Sequence, residues 1–250
     1  MSSQQAVTAR LVAVSGGLGS PSSTRLLSDR VLEHAKRALD AHGLRAEVTV
    51  VELRPLAVQI ANHLVTGYAE PELAAALAAV READGIVAVT PVFNGSMAGL
   101  FKSFFDLLNT DDLTGTPVVL GATGGSARHS LVIDYAMRPL FAYLRTLPMP
   151  TGIFVATADW GAAHAGTSEG DEIEVRVARV ARELASAVRL GVAGGSGHQG
   201  GASQGSGDAP TIAATVDDFT DEARAANERR AEHAGFADLM SRYAGTELTD

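Results

Sequence analysis

A doubly wound α/β fold, with helices on both faces of a parallel sheet, is predicted by three features of the sequence. Short apolar runs alternate with helix-period segments over the first 190 or so residues. Most of these runs are continuously apolar, as strands covered on both faces must be. The loops leaving three of them are rich in glycine and hydroxyl residues, and all three leave at one edge of the sheet.

The runs Leu11–Val14, Ile86–Val89, Val118–Ala122 and Ile153–Ala156 are too short for helices and read as buried strands. Glu47–Leu53 alternates instead, with Val48 and Val50 set against Glu47 and Thr49, which suits an edge strand with one wet face. Between the runs lie four apolar helix faces: Leu27, Val31, Ala35 and Ala38; Leu73, Leu77 and Val80; Phe101, Phe104, Phe105 and Leu108; and Ile173, Val177, Val180, Leu184 and Val188. The resulting β-α alternation gives five parallel strands in three α/β/α layers, and the edge character of the second strand selects the order 2-1-3-4-5. Leu131–Leu147 is apolar nearly all round, which predicts a helix buried on two sides. The second side is assigned to another subunit, with a two-fold pair as the default, in preference to cover by the C-terminal tail.

Composition narrows the function. With 46% apolar residues the chain can fill a core, and a net charge of −9 argues against a dedicated nucleic-acid binder. The absence of cysteine removes disulfides, thiolate metal sites and cysteine nucleophiles, and no metal site is expected. No apolar run approaches the roughly 20 residues that cross a bilayer. Met1–Arg10 is polar, without the apolar centre of a signal peptide, so the expected location is the cytoplasm. Residues 1–192 form the expected domain. Residues 193–210 have the Gly/Ser composition of a linker, and 211–250 form a tail in which Phe236, Leu239, Met240 and Tyr243 mark a docked helix.

The first strand runs into Ser15-Gly16-Gly17-Leu18-Gly19-Ser20-Pro21-Ser22-Ser23-Thr24-Arg25. A strand, a small-residue loop and a helix start form a phosphate cradle, because glycines admit the backbone and first-turn N–H groups face the anion. One hydroxyl here reads as a helix cap. Three in a row, Ser22, Ser23 and Thr24, flanked by glycines and Arg25, point to a bound phosphate. The loop lacks the lysine of a Walker motif, and Ser22 stands where a dinucleotide fingerprint needs its third glycine. A monophosphate fits best.

The third strand ends in Thr90-Pro91-Val92-Phe93-Asn94-Gly95-Ser96 and the fourth in Ala122-Thr123-Gly124-Gly125-Ser126. Each reads alone as an ordinary turn. Together, at the switch point of the sheet, they offer successive N–H groups to the two edges of a flat heterocycle. Arg128 or Arg25 is a candidate for a nucleotide phosphate. His129 reads equally as a ligand contact or a local hydrogen bond, and Trp160 as a pocket wall or as cover for the sheet edge.

The stretches Ala83–Phe93, Gly99-Leu100-Phe101-Lys102, Ala122–Ser126, His129 and Asp134-Tyr135-Ala136 resemble the NADPH-dependent FMN reductase family over roughly residues 10–190. Within it they resemble the branch that supplies reduced FMN to two-component monooxygenases. The resemblance implies a flavodoxin-like fold, FMN with NADPH or NADH as hydride donor, and a homodimer or homotetramer with the flavin near the subunit interface. It places the FMN phosphate at Ser15, Ser22, Ser23, Thr24 and Arg25, the ring over Pro91–Ser96, and the ring's pyrimidine end at Thr123–Ser126. Hydride transfer to flavin needs alignment more than a side-chain acid or base, so no catalytic residue is expected. Three functions follow: a reductase that releases reduced FMN to an oxygenase; a quinone, azo or metal-oxyanion reductase with retained FMN; and a non-enzymatic electron carrier.

Overall fold

The computed structural model describes residues 8–164 and 168–193, with side-chain surroundings for 8–160 and 172–193. The expected linker beyond Ala193 and the expected tail helix lie outside the described residues.

Strand β1 (Thr8–Ser15) sits inside the sheet, paired in parallel with β2 (Arg45–Glu52) on one side and β3 (Gly85–Phe93) on the other. Strand β3 pairs in parallel with β5 (Pro117–Gly124), and β5 with β7 (Ile153–Ala156). The five principal strands therefore run second, first, third, fourth, fifth, as expected from the sequence. Two strands of two residues each complete a seven-stranded sheet. One is β4 (Ser96–Met97), antiparallel to β3; the other is β6 (Leu147–Pro148), which lies along the start of β5 while β7 lies along its end. The outer strand is thus one strand in two pieces.

Alternate side chains of each strand enter opposite layers. Leu11, Ala13, Val87, Val89 and Val155 pack with α1 (Ser23–Asp40) and α7 (Ser168–Ala193). Val12, Val14, Ile86, Ala88, Val118 and Leu120 pack with α3 (Pro71–Arg81), α4 (Gly99–Phe105) and α5 (Arg138–Tyr143). The predicted faces are the buried ones: Leu27, Val31 and Ala35 of α1, Leu73, Leu77 and Val80 of α3, Phe101, Phe104 and Phe105 of α4, and all five residues named for α7. Phe101, Phe105 and Phe141 stack with centroids 4.7–6.3 Å apart, which fixes α4 against α5.

Three elements differ from the expectation. In β2 the buried residues are Ala46, packed in the α1–α7 layer, and Val51, packed in the opposite layer, whereas Val48 is exposed. Helix α2 (Ala57–Thr66) was not expected; of its residues only Ile60 is buried, so it shows no apolar stripe. Segment 131–147 is not one helix. A π-turn over Ile133–Met137 leads into the short α5, which ends at Tyr143 and is followed by Arg145 with φ +55°. Pro139 accounts for the widened turn, since it lacks the N–H that an α-helix would bond four residues back and its ring crowds that carbonyl. The segment buries Val132, Ile133, Met137, Phe141 and Leu144 and exposes Leu131, Tyr135, Tyr143 and Leu147.

Candidate functional site

The three loops singled out from the sequence leave β1, β3 and β5, which are neighbours in the sheet. Ser15 stands beside Val89 and Pro91 beside Thr123, so the loops start at nearly the same level on the carboxyl edge. Gly16 N–H donates to Val89 O at 2.8 Å, and Leu53 N–H donates to Ser15 O at 3.0 Å, which anchors the first loop on both sides.

The first loop is wound tightly. A Cβ on Gly17 would stand 2.1 Å from Ser22 Oγ, so any side chain there would force Ser22 to move, and with glycine the turn presents backbone. Ser22 is the N-cap of α1: its Oγ accepts from Arg25 N–H at 3.2 Å and its carbonyl from Leu26 N–H at 3.0 Å. The Ser23 and Thr24 amides are the remaining first-turn donors. Thr24, 2% exposed, turns its hydroxyl inward to Thr123 Oγ1 at 2.8 Å. That bond ties the first loop to the third. Arg25 is held by Asp29 at 2.8 Å and Glu52 at 3.0 Å. The hydrogen bond that its guanidinium donates to Asp29 is the largest influence keeping it charged beyond the ordinary arginine range, against a smaller opposing effect of burial. Ser15 is buried at the end of β1, beneath the loop.

The second loop is a two-residue hairpin joining β3 to β4. Asn94 and Gly95 have φ of +49° and +79°, the geometry of a type I′ turn, with Phe93 opposite Ser96 and Val92 opposite Met97. Thr90, wholly buried, locks its base: Thr90 Oγ1 and Pro91 O accept from Ala98 N–H at 3.0 and 3.1 Å. Thr90 stands at the head of this loop in the sequence, a hydroxyl inside an apolar strand next to Pro91, but its part in closing the hairpin was not expected. Pro91 and Val92 are half-buried and Phe93 to Ser96 exposed, so the hairpin forms an open shelf. In the third loop Thr123 is buried and Gly125 exposed, and a Cβ on Gly124 would meet the Phe154 ring at 3.0 Å.

His129 and Arg128 are exposed on a 3₁₀ turn, Ala127–His129, and line a cleft of about 340 Å³ against Gly95 and Ser96. Trp160, on α6 (Thr157–His164), packs with the α1–α7 layer under the Arg30 guanidinium, 5.2 Å from the ring centre. It covers the sheet on that side.

These residues fit a flavin monophosphate. Residues 15–28 carry no carboxylate and the first turn of α1 has none, so the amides there are open to an anion, while Asp29 and Glu52 stand on Arg25 beside them. The hairpin shelf and the glycine loop flank a flat group from two sides. The profile of the NADPH-dependent FMN reductase family matches residues 9–161, over half of the chain.

The chain belongs to that family.

Membership makes it an NAD(P)H:FMN oxidoreductase, a flavoprotein that uses FMN with a nicotinamide nucleotide. It is 36% identical over 151 residues to an FMN reductase (NADPH) of Pseudomonas aeruginosa, covering 60% of this chain and 78% of the relative. It is 39% identical over 149 residues to the NADH-dependent FMN reductase SfnE of Pseudomonas putida, covering 60% and 77%. A crystal structure of an oxidoreductase from Corynebacterium diphtheriae superposes with a TM-score of 0.69 at 44% identity, over 73% of this chain and 98% of that one. An apo NADH:FMN oxidoreductase shares the fold with a TM-score of 0.58 at 24% identity, over 70% and 90%. No helix among the described residues is long and apolar enough to cross a membrane.

Proposed function

We propose that the protein reduces FMN with NAD(P)H and releases the reduced flavin to a partner monooxygenase. The observation that carries this reading is the open shelf. Phe93, Asn94, Gly95, Ser96 and Gly125, which would border the ring, are exposed rather than folded into a closed cavity, as suits a flavin that comes and goes.

In this reading the Ser23 and Thr24 amides, with Arg25 and the hydroxyls of Ser15, Ser22 and Ser23, hold the phosphate at the start of α1. The β3–β4 hairpin orients one edge of the ring through the backbone of Asn94, Gly95 and Ser96. Thr123 to Ser126 meet the other edge, aligned with the phosphate loop by the Thr24–Thr123 bond. Bound FMN supplies N5 as the hydride acceptor. No side chain has to move a proton for that transfer, and these residues bind and orient.

The exposed side of 131–147, with Leu131, Tyr135, Tyr143 and Leu147, is the face that we assign to a second copy of the chain. A cytoplasmic location, where reduced nicotinamide nucleotides are found, completes the reading. The test follows NADPH and NADH oxidation by purified, colourless protein with and without added FMN. Strict dependence on added FMN supports release; a yellow protein that reduces quinones without added flavin overturns it.

A further inference from the structure

We infer that the cleft between the β3–β4 hairpin and the turn Ala127–His129 is the docking subsite for a phosphoryl group of the nicotinamide nucleotide, with Arg128 as its cation. The inference rests on the reductase reading and goes beyond it, since the sequence left Arg128 and Arg25 as alternatives for a nucleotide phosphate and gave neither a subsite.

Three observations carry it. The cleft borders Gly95 and Ser96, the shelf where the flavin ring would lie, and its far wall is Leu131 and Tyr135 of the face assigned to a second copy, so a nucleotide with its nicotinamide on the ring would meet it at the edge of that face. The loop after β1 already serves the phosphate of FMN, and the second ligand brings phosphates of its own. Arg128 is also uncompensated. Arg25, Arg30, Arg81 and Arg138 each sit on a carboxylate, whereas Arg128, like Arg45, Arg54, Arg182 and Arg189, forms no ion pair among the described residues, and no acidic residue lines its cleft beside the shelf. Asp134, the nearest carboxylate in sequence, is engaged by Arg138 at 2.7 Å. In a chain of net charge −9, an arginine and a histidine left open together beside the hydride-transfer shelf form an anion subsite.

The phosphoryl group belongs either to the pyrophosphate, common to NADH and NADPH, or to the 2′-phosphate of NADPH. Relatives named for each nucleotide make the distinction meaningful. Calorimetric titration of FMN-loaded protein with ADP-ribose and with adenosine 2′,5′-bisphosphate separates the two. Arg128→Ala is expected to weaken binding about tenfold or more, the scale of one charge-assisted hydrogen bond. Arg128→Lys should restore part of it, and an unchanged melting temperature would show that the fold is intact. A loss confined to the bisphosphate assigns the 2′-phosphate. A loss with both probes assigns the pyrophosphate. Equal affinity of Arg128→Ala and wild type for both probes overturns the inference. A wild type that oxidises NADPH yet binds neither probe also overturns it and leaves the reductase reading standing. Failure of the wild type both to bind and to oxidise removes the two together.

Discussion

The hydrogen bond between Thr24 Oγ1 and Thr123 Oγ1 joins two loops 99 residues apart in sequence, and its energetics can be worked from burial alone. The two residues are 2% and 3% exposed, so neither hydroxyl can turn to water if its partner is removed. Thr123→Val keeps the side-chain shape and leaves Thr24 Oγ1 buried without this partner, at a cost of about 2 kcal/mol. For a domain of this size that lowers the melting temperature by roughly 4–8 °C. Thr24→Val has the same effect for the same reason. The double variant removes both polar groups and leaves an apolar contact, so its stability returns to within about 1 kcal/mol of the wild type. Flavin affinity should stay reduced in the double variant, because nothing then aligns the loops. Thermal melts of the apo-protein followed by circular dichroism measure the cycle. Two single losses that simply add in the double variant would refute the coupling and the bridge with it.

Three further outcomes follow from the same geometry. Arg25→Ala should weaken FMN binding by about 1–3 kcal/mol while leaving riboflavin affinity unchanged, as read by quenching of flavin fluorescence. Gly17→Ala should weaken FMN binding by about tenfold or more in the same titration, because its methyl group would displace Ser22 from the cap it forms at 3.2 Å. Stability should fall in acid: burial pushes the carboxyls of Asp112 and Glu183 up, but the hydrogen bonds from Arg81 and Asn109, and from Thr151 and Arg179, outweigh it and leave both below the usual range. Their contribution is therefore complete above the unfolded-state value near pH 4 and is lost as pH falls through the lower folded value, so Asp112→Asn should flatten the acid limb of a pH–melting curve.

Much of this fold was legible because the chain states it in periodicities. Continuous apolar runs gave β1, β3, β5 and β7, and i, i+3, i+4 stripes gave α1, α3, α4 and α7. Helix α2 has no such stripe, since it buries Ile60 alone and leaves Val58 and Val65 in solvent. Strands β4 and β6, of two residues each, carry no period at all. In 131–147 the apolar content was visible, but the consequence of Pro139 for the turns before it was not. At the site the loops were recognised from composition and from the edge of the sheet they share. The inward turn of the Thr24 hydroxyl was not legible, because a hydroxyl at a helix start faces an anion, a backbone amide or a distant partner with equal ease until the sheet register sets Thr123 beside it. Glu52 on Arg25 belongs to the same class, since it comes from β2, whereas Asp29 stands four residues on in the same helix.

The central claim, that the carboxyl edge of this sheet holds FMN by its phosphate and its ring together, is tested most directly by equilibrium titration of the wild-type protein with FMN and with riboflavin. FMN is expected to bind once per chain and riboflavin at least about tenfold more weakly, since it cannot engage the Ser23 and Thr24 amides or Arg25. Equal affinity for the two flavins would contradict the account.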